Sequence, residues 1–206
     1  MAKMKPKVIN SLQDNCADFT KLKEATERYW LKAGYTKCWG VQVQEGSKWK
    51  KGLTDAELDA FEAAMGITFP DVLRGFYKTM NGLDRPGVDF KGDVKAEPGL
   101  KPAFYSYPDD LPSINQQIDR ICEDNNITRQ DMLAGKVPFI IPVYGHRCLV
   151  FDGTGRMLSM VGRDIIIYAD NIARAIAKDV FEYVSNEVIP ANLQPVPFWL
   201  ENPDGY

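Results

Sequence analysis

At Gly135 the spacing of apolar residues changes, and this single switch restricts the folds open to the chain. Before it, apolar side chains recur three and four residues apart. After it come four short runs, Val137 to Val143, Arg147 to Phe151, Met157 to Val161 and Ile165 to Tyr168. The intervening segments, Tyr144-Gly145-His146, Asp152-Gly153-Thr154-Gly155 and Gly162-Arg163-Asp164, carry the turn residues of a meander. A last helical pattern over Asn171 to Val188 places Ile172, Ile176, Val180 and Val184 on its inner face. Helices, then a meander, then a helix, with no alternating βαβ unit, predict an α+β fold with an antiparallel sheet.

The helices are punctuated by their own chemistry. Asp18 to Leu31 carries Phe19, Leu22, Ala25, Tyr29 and Trp30 near helical spacing, with Gly34 as its C-terminal cap. Tyr35 to Gly52 reads as a short strand followed by a loop. Thr54 and Glu57 make a capping box, in which hydroxyl and carboxylate each satisfy an orphan backbone N–H. The helix they open buries Leu58, Phe61, Ala64 and Met65 and stops at Gly66. Phe69-Pro70 opens the next, with proline in the first turn, and Leu73, Phe76, Tyr77 and Met80 line its inner face. Asn81-Gly82 ends it, because both residues tolerate the left-handed conformation of a C-terminal cap. Residues 83–102, rich in glycine and proline, read as a long loop. Phe104 to Tyr107 is expected as a short strand. Ile114, Ile118 and Ile121 share one face of a helix starting at Pro112-Ser113, and a short helix covers Arg129 to Leu133.

The 206 residues are expected to form one domain, with an N-terminal extension over 1–51, a core over 52–188 and a proline-rich tail over 189–206. No apolar run follows Lys3, Lys5 and Lys7, as a secretory signal would require, and no apolar stretch approaches the ~20 residues of a membrane helix. Cys16, Cys38, Cys122 and Cys148 are scattered and read as reduced thiols. A cytoplasmic protein is expected, with no membrane partner. Charge is unevenly spread. Residues 1–52 hold 11 Lys and Arg against 5 Asp and Glu, residues 53–138 hold 9 against 15, and residues 139–206 hold 5 against 8. An acidic body repels nucleic acid and attracts a basic partner.

No catalytic constellation declares itself. His146 and Cys148 would share a strand face, but nothing marks an activated thiolate. The single histidine and dispersed cysteines match no zinc spacing, so neither a metal nor another cofactor is expected. Asp152-Gly-Thr-Gly-Arg156 lacks the Lys-Ser/Thr end of a phosphate loop and reads as a hairpin turn. Asp124-Asn125-Asn126 begins like a calcium loop, but Arg129 stands where glycine is needed and Gly135 where glutamate is needed. Trp39 and Trp49 flank a basic segment with Lys48, Lys50 and Lys51, expected to pack one indole and half-expose the other. Phe198-Trp199 is expected to staple the tail to the body.

The stretch GLTDAELDAFEAAMGITFPDVLRGFYKTMNGLD resembles the signature of the SUKH superfamily: an acidic helix (Glu57 to Met65), a connector (Gly66), a Leu-Pro-like pair (Phe69-Pro70), an aromatic helix (Phe76-Tyr77) and an Asn-Gly stop. The later runs PFIIPVYGHRCLVFD and LSMVGRDIIIYADNIARAIAKDVFEYV are similar to that group's meander and final helix. The resemblance implies N-terminal helices packed on an antiparallel meander with a closing C-terminal helix. It also implies a protein-binding module rather than an enzyme. The group includes bacterial toxin-immunity proteins, so the expected partner is a cognate protein toxin, basic and nuclease-like, whose active groove an acidic face would occlude. Asp84, Asp89, Asp93, Asp109 and Asp110 are the candidate contact residues, and a monomer or weak dimer is expected. A regulatory adaptor, like the fungal cell-wall-synthesis regulator of the group, is the alternative; a hydrolase is the third reading.

Overall fold

The computed structural model describes residues 3–31, 35–38, 41–89, 99–183, 188, 190, 191 and 194–200; for 35–38, 41, 88, 89 and 99–101 it describes the backbone alone. In chain order the elements are α1 (Pro6–Ile9), α2 (Cys16–Trp30), β1 (Tyr35–Cys38), β2 (Val41–Gln44), α3 (Asp55–Met65), α4 (Asp71–Thr79), β3 (Gly87–Asp89) and β4 (Gly99–Lys101). There follow α5 (Leu111–Asp124), α6 (Arg129–Leu133), β5 (Ile140–Tyr144), β6 (Arg147–Val150), β7 (Met157–Val161), β8 (Asp164–Ala169) and α7 (Ile172–Val180). Two antiparallel four-stranded sheets result, β1-β2-β3-β4 and β5-β6-β7-β8, each in sequence order. The architecture is α+β, with N-terminal helices and a closing C-terminal helix around the meander.

The helices form where the sequence supplies partners for their orphan amides. Asn15 caps α2 by accepting from the Asp18 amide at 2.9 Å. The Thr54/Glu57 capping box is fully made, and Gly66 ends α3 in the left-handed region at φ 73°. A second box, Thr128 with Asp131, opens α6. Arg74 on α4 ties α3 to it, reaching Glu62 at 2.5 Å and Asp59 at 3.0 Å.

α2 packs on α4 and α7, α5 on β5, and α7 on β1 and β8. β5 and β6 are buried on both faces, so they read as continuous apolar runs rather than alternating ones. One apolar cluster runs from Ile9, Phe19 and Trp30 through Phe76 and Phe104 to Ile176 and Trp199. Among the described residues no helix is long and apolar enough to cross a membrane.

Several expectations are corrected. The stretch after α2 holds a hairpin, not one strand, and residues 83–102 are not all loop: β3 and β4 extend that hairpin into a sheet, with Val88 opposite Leu100. These strands are three residues long and held by backbone pairing, so they show no apolar alternation. Residues 104–107 form no strand. Pro70 is the N-cap of α4, one position before its first turn. The last helix stops at Val180, with Glu182 at φ 56°, well short of residue 188. α4 ends on an extended Met80, not on a left-handed Asn81. Gly34, Trp39 and Val184 lie outside the described residues. Trp49 is buried, its Nε1 donating to Thr26 Oγ1 at 2.8 Å.

Candidate partner-binding face

Three segments from distant parts of the sequence are laced together beside α4. The Lys50 amide donates to Gly82 O at 2.9 Å, the Asp84 amide to Lys48 O at 2.9 Å, and Trp49 bridges Leu83. Asn81 binds the third segment from both ends, donating to Tyr107 O at 2.7 Å and accepting from its amide at 2.8 Å. Gly82 sits at φ +69°, and a Cβ there would stand 2.6 Å from Ser106 Cβ and 3.1 Å from Phe104 O. The Asn-Gly pair therefore does more than end a helix. It seats the 103–107 loop against the 47–50 loop.

An open pocket of about 270 Å³ lies over this seam, with Leu83, Pro86, Pro102 and Phe104 in its wall and Lys50, Asp84, Arg85 and Asp110 at its polar side. Asp84 is exposed and accepts from the Lys48 amide at 2.7 Å. Asp109 is 67% exposed and pairs with Lys50 Nζ at 2.9 Å. Asp110 turns inward and accepts from the Ser106 amide and hydroxyl at 2.8 and 2.6 Å, which holds the loop leading into α5. Asp89 contributes its backbone to β3, opposite Val41 and Gly99; its side chain, and Asp93 entirely, lie outside the described residues. The structure thus brings Asp84, Asp109 and Asp110 to one seam. Sequence reasoning did not place Lys50 and Arg85 there. Arg85 donates to Glu45 O at 2.5 Å, so the rim is of mixed sign. Lys50 stood in the basic N-terminal stretch, and only the fold sets it beside Asp109.

The other polar centre is internal. Arg147 and Asp179, 1% and 8% exposed, meet at 3.3 Å under α7. Tyr144 donates to Asp179 Oδ2 at 2.8 Å, Tyr168 donates to Oδ1, and the Arg147 guanidinium lies 3.4 Å over the Tyr168 ring. A guanidinium can only donate, so at 2.8 Å from Arg147 the His146 Nε2 accepts. Burial and the Arg147 charge push the His146 imidazole down to about 3, which keeps it neutral. Cys148 is wholly buried, burial pushes its thiol up, and its Sγ–H faces His146 O rather than the ring. This arrangement does not activate a nucleophile. Among the described residues no three His, Cys, Asp or Glu side chains converge as a metal would need. Asp152-Gly-Thr-Gly-Arg156 is a hairpin turn, with Asp152 accepting from the Thr154 amide at 2.9 Å and from Arg156 at 2.7 Å.

A family model described as SMI1 / KNR4 family (SUKH-1) matches residues 52–186, well over half of the chain. Comparison with curated proteins and with solved structures gave no match. The matched span takes in α3 to α7 and β3 to β8. It leaves out α1, α2, β1 and β2.

Proposed function

The chain belongs to the SMI1 / KNR4 family (SUKH-1), and on that premise we propose that it is a non-enzymatic protein-binding module of the immunity kind, which binds a cognate toxin and neutralises it. The family match over residues 52–186 carries the reading, because the family includes toxin-immunity proteins and is generally non-catalytic. The seam of Asp84 and Asp109 supports it as the contact face. Both carboxylates are exposed, neither sustains the core, and the pocket that Asp84 and Lys50, the partner of Asp109, help to line has an apolar wall of Leu83, Pro86, Pro102 and Phe104. Charge at such a rim guides encounter with a basic toxin groove, while buried apolar contacts set the lifetime.

Surface-binding kinetics on a candidate cognate toxin test this. The set Asp84→Asn, Asp89→Asn, Asp93→Asn and Asp109→Asn is expected to slow association severalfold at low salt, with dissociation little changed, since exposed pairs are worth only ~1 kcal/mol or less. Association indifferent to both salt and the set would reduce the acidic bias to a solubility feature.

A further inference from the structure

A second cleft opens among N-terminal residues, built mostly from residues outside the matched span. It measures about 360 Å³ and lies between α1, α2 and the end of α7. Its floor is apolar: Met4 just before α1, Val8 from α1, Ala25 and Tyr29 from α2, and the Phe181 ring, which meets Tyr29 edge-on at 5.2 Å. Lys21 and Arg28 stand at its mouth. A dry apolar cavity of about 150 Å³ holds one benzene, so this cleft has room for a large apolar side chain and the backbone that carries it.

The charge around the cleft chooses among occupants. Lys3, Lys5 and Lys7 are exposed on or beside α1, and Lys21 and Arg28 on α2. Lys3 pairs with Glu182 at 3.2 Å and Arg28 with Glu24 at 3.7 Å. Among the described residues Lys5, Lys7 and Lys21 have no carboxylate within ion-pair distance. The cleft is therefore an apolar slot with surplus positive charge, on residues 1–52, the stretch of the chain where cations outnumber anions. From this we infer that it is a second docking site, for an acidic linear segment of a partner protein that carries one large apolar anchor residue. The anchor fills the slot while flanking carboxylates meet Lys21, Lys5 and Lys7. A lipid surface fits less well, because the apolar residues are recessed in the cleft whereas a membrane anchor projects them.

Fluorescence anisotropy of labelled short peptides, with Asp and Glu flanking a central Phe, Leu or Ala, tests this on the full chain. The Phe or Leu peptide is expected to bind saturably, about tenfold or more tighter than the Ala peptide, a difference of ~1.4 kcal/mol. Lys21→Glu with Arg28→Glu, both at exposed positions, is expected to abolish binding while leaving the thermal melt in place. Ala25→Trp, which fills the slot, is expected to block it as well. Equal affinity for the Ala peptide, indifference to the charge reversal, or no binding below about 1 mM would overturn the inference. So would Lys21-dependent capture by phosphatidylserine vesicles in place of the peptides, which would assign the site to membrane. None of these readouts involves the toxin face, so they stand or fall apart from the immunity reading.

Discussion

Gly82 is held by two constraints at once, a left-handed φ of +69° and a neighbour, Ser106 Cβ, only 2.6 Å from where a Cβ would be. Gly66, at φ +73°, has the first constraint without the second, since nothing lies within 4 Å. Gly66→Ala should therefore cost about 1 kcal/mol for the backbone alone, while Gly82→Ala adds overpacking and should cost about 3 kcal/mol. Urea melts of the two variants check this, and equal losses would show that the 103–107 loop yields freely.

Asp14 makes a second residue-scale case. Its carboxylate accepts from the Ile172 and Ala173 amides, both at 2.9 Å, and burial lifts its pKa from 3.8 to about 6. The folded chain then binds the proton more tightly than the unfolded one, so this contribution is full below pH 3.8 and is lost as pH rises through 6. Two units correspond to roughly 3 kcal/mol. His146 acts in the opposite sense, because its lowered pKa favours folding as pH rises from 3 to 6.5. Asp14→Asn should remove the first slope and leave stability rising more steeply between pH 4 and 6. Melting temperatures across that range, mutant against wild type, give the answer. Gly82 was legible in the sequence through the Asn-Gly pair. Asp14 was not, because its partners lie 158 and 159 residues away.

At the level of elements, legibility followed how local the forces are. The Thr54/Glu57 capping box, the Ile114/Ile118/Ile121 face and the meander turns are all set within a few residues, and they appear in the structure at the expected positions. β3 and β4 are set by backbone pairing with chain far away, and their glycine-rich sequence carries no pattern. Of the candidate face, the sequence identified carboxylates but not which of them turn inward: Asp110 turns in to Ser106, while Asp109 faces out to Lys50.

The hairpin turn between β6 and β7 shows a local motif with a distant consequence. Arg156 is buried and donates to Asp152 at 2.7 Å, to Gln194 O, and to Pro195 O at 3.4 Å, so the turn grips the tail. Trp199 Nε1 fastens the same tail to Pro138 O at 2.9 Å. Arg156→Leu leaves the Asp152 carboxylate buried without its partner and should cost about 3–5 kcal/mol. Adding Asp152→Asn should recover part of that loss. Hydrogen exchange reports on the grip, since the Val196 amide, bonded to Leu200 O at 2.9 Å, should lose protection in Arg156→Leu. Unchanged protection would mean that Trp199 alone holds the tail.

Across the whole molecule, the boundary at residue 52 is one of sequence similarity and not of packing. Ile9, Leu12, Phe19, Leu22 and Trp30 are wholly buried in the same cluster as Phe76, Phe104 and Ile176, and Trp49 is nearly so. Trp30 and Trp49 lie 5.7 Å apart, and Trp49 stands 4.5 Å from Phe104, inside the matched span. Phe19 meets Phe76 edge-on at 5.8 Å. The N-terminal loop also caps α7 through Asp14, while Asn171 Nδ2 returns a bond to Leu12 O at 2.9 Å. At roughly 1.5–3 kcal/mol for each large apolar side chain, six such residues contribute about 10 kcal/mol. That equals the net stability of a typical domain, ~5–15 kcal/mol. A chain starting at residue 52 is therefore expected to lose its cooperative fold, although it keeps every residue of the family match. The expected signs are a collapsed near-UV circular dichroism spectrum and a broad, non-cooperative urea transition. If the shortened chain instead melts sharply near the full-length midpoint, the first 51 residues are an appendage after all, and the shared core must be self-sufficient without Trp30 and Trp49.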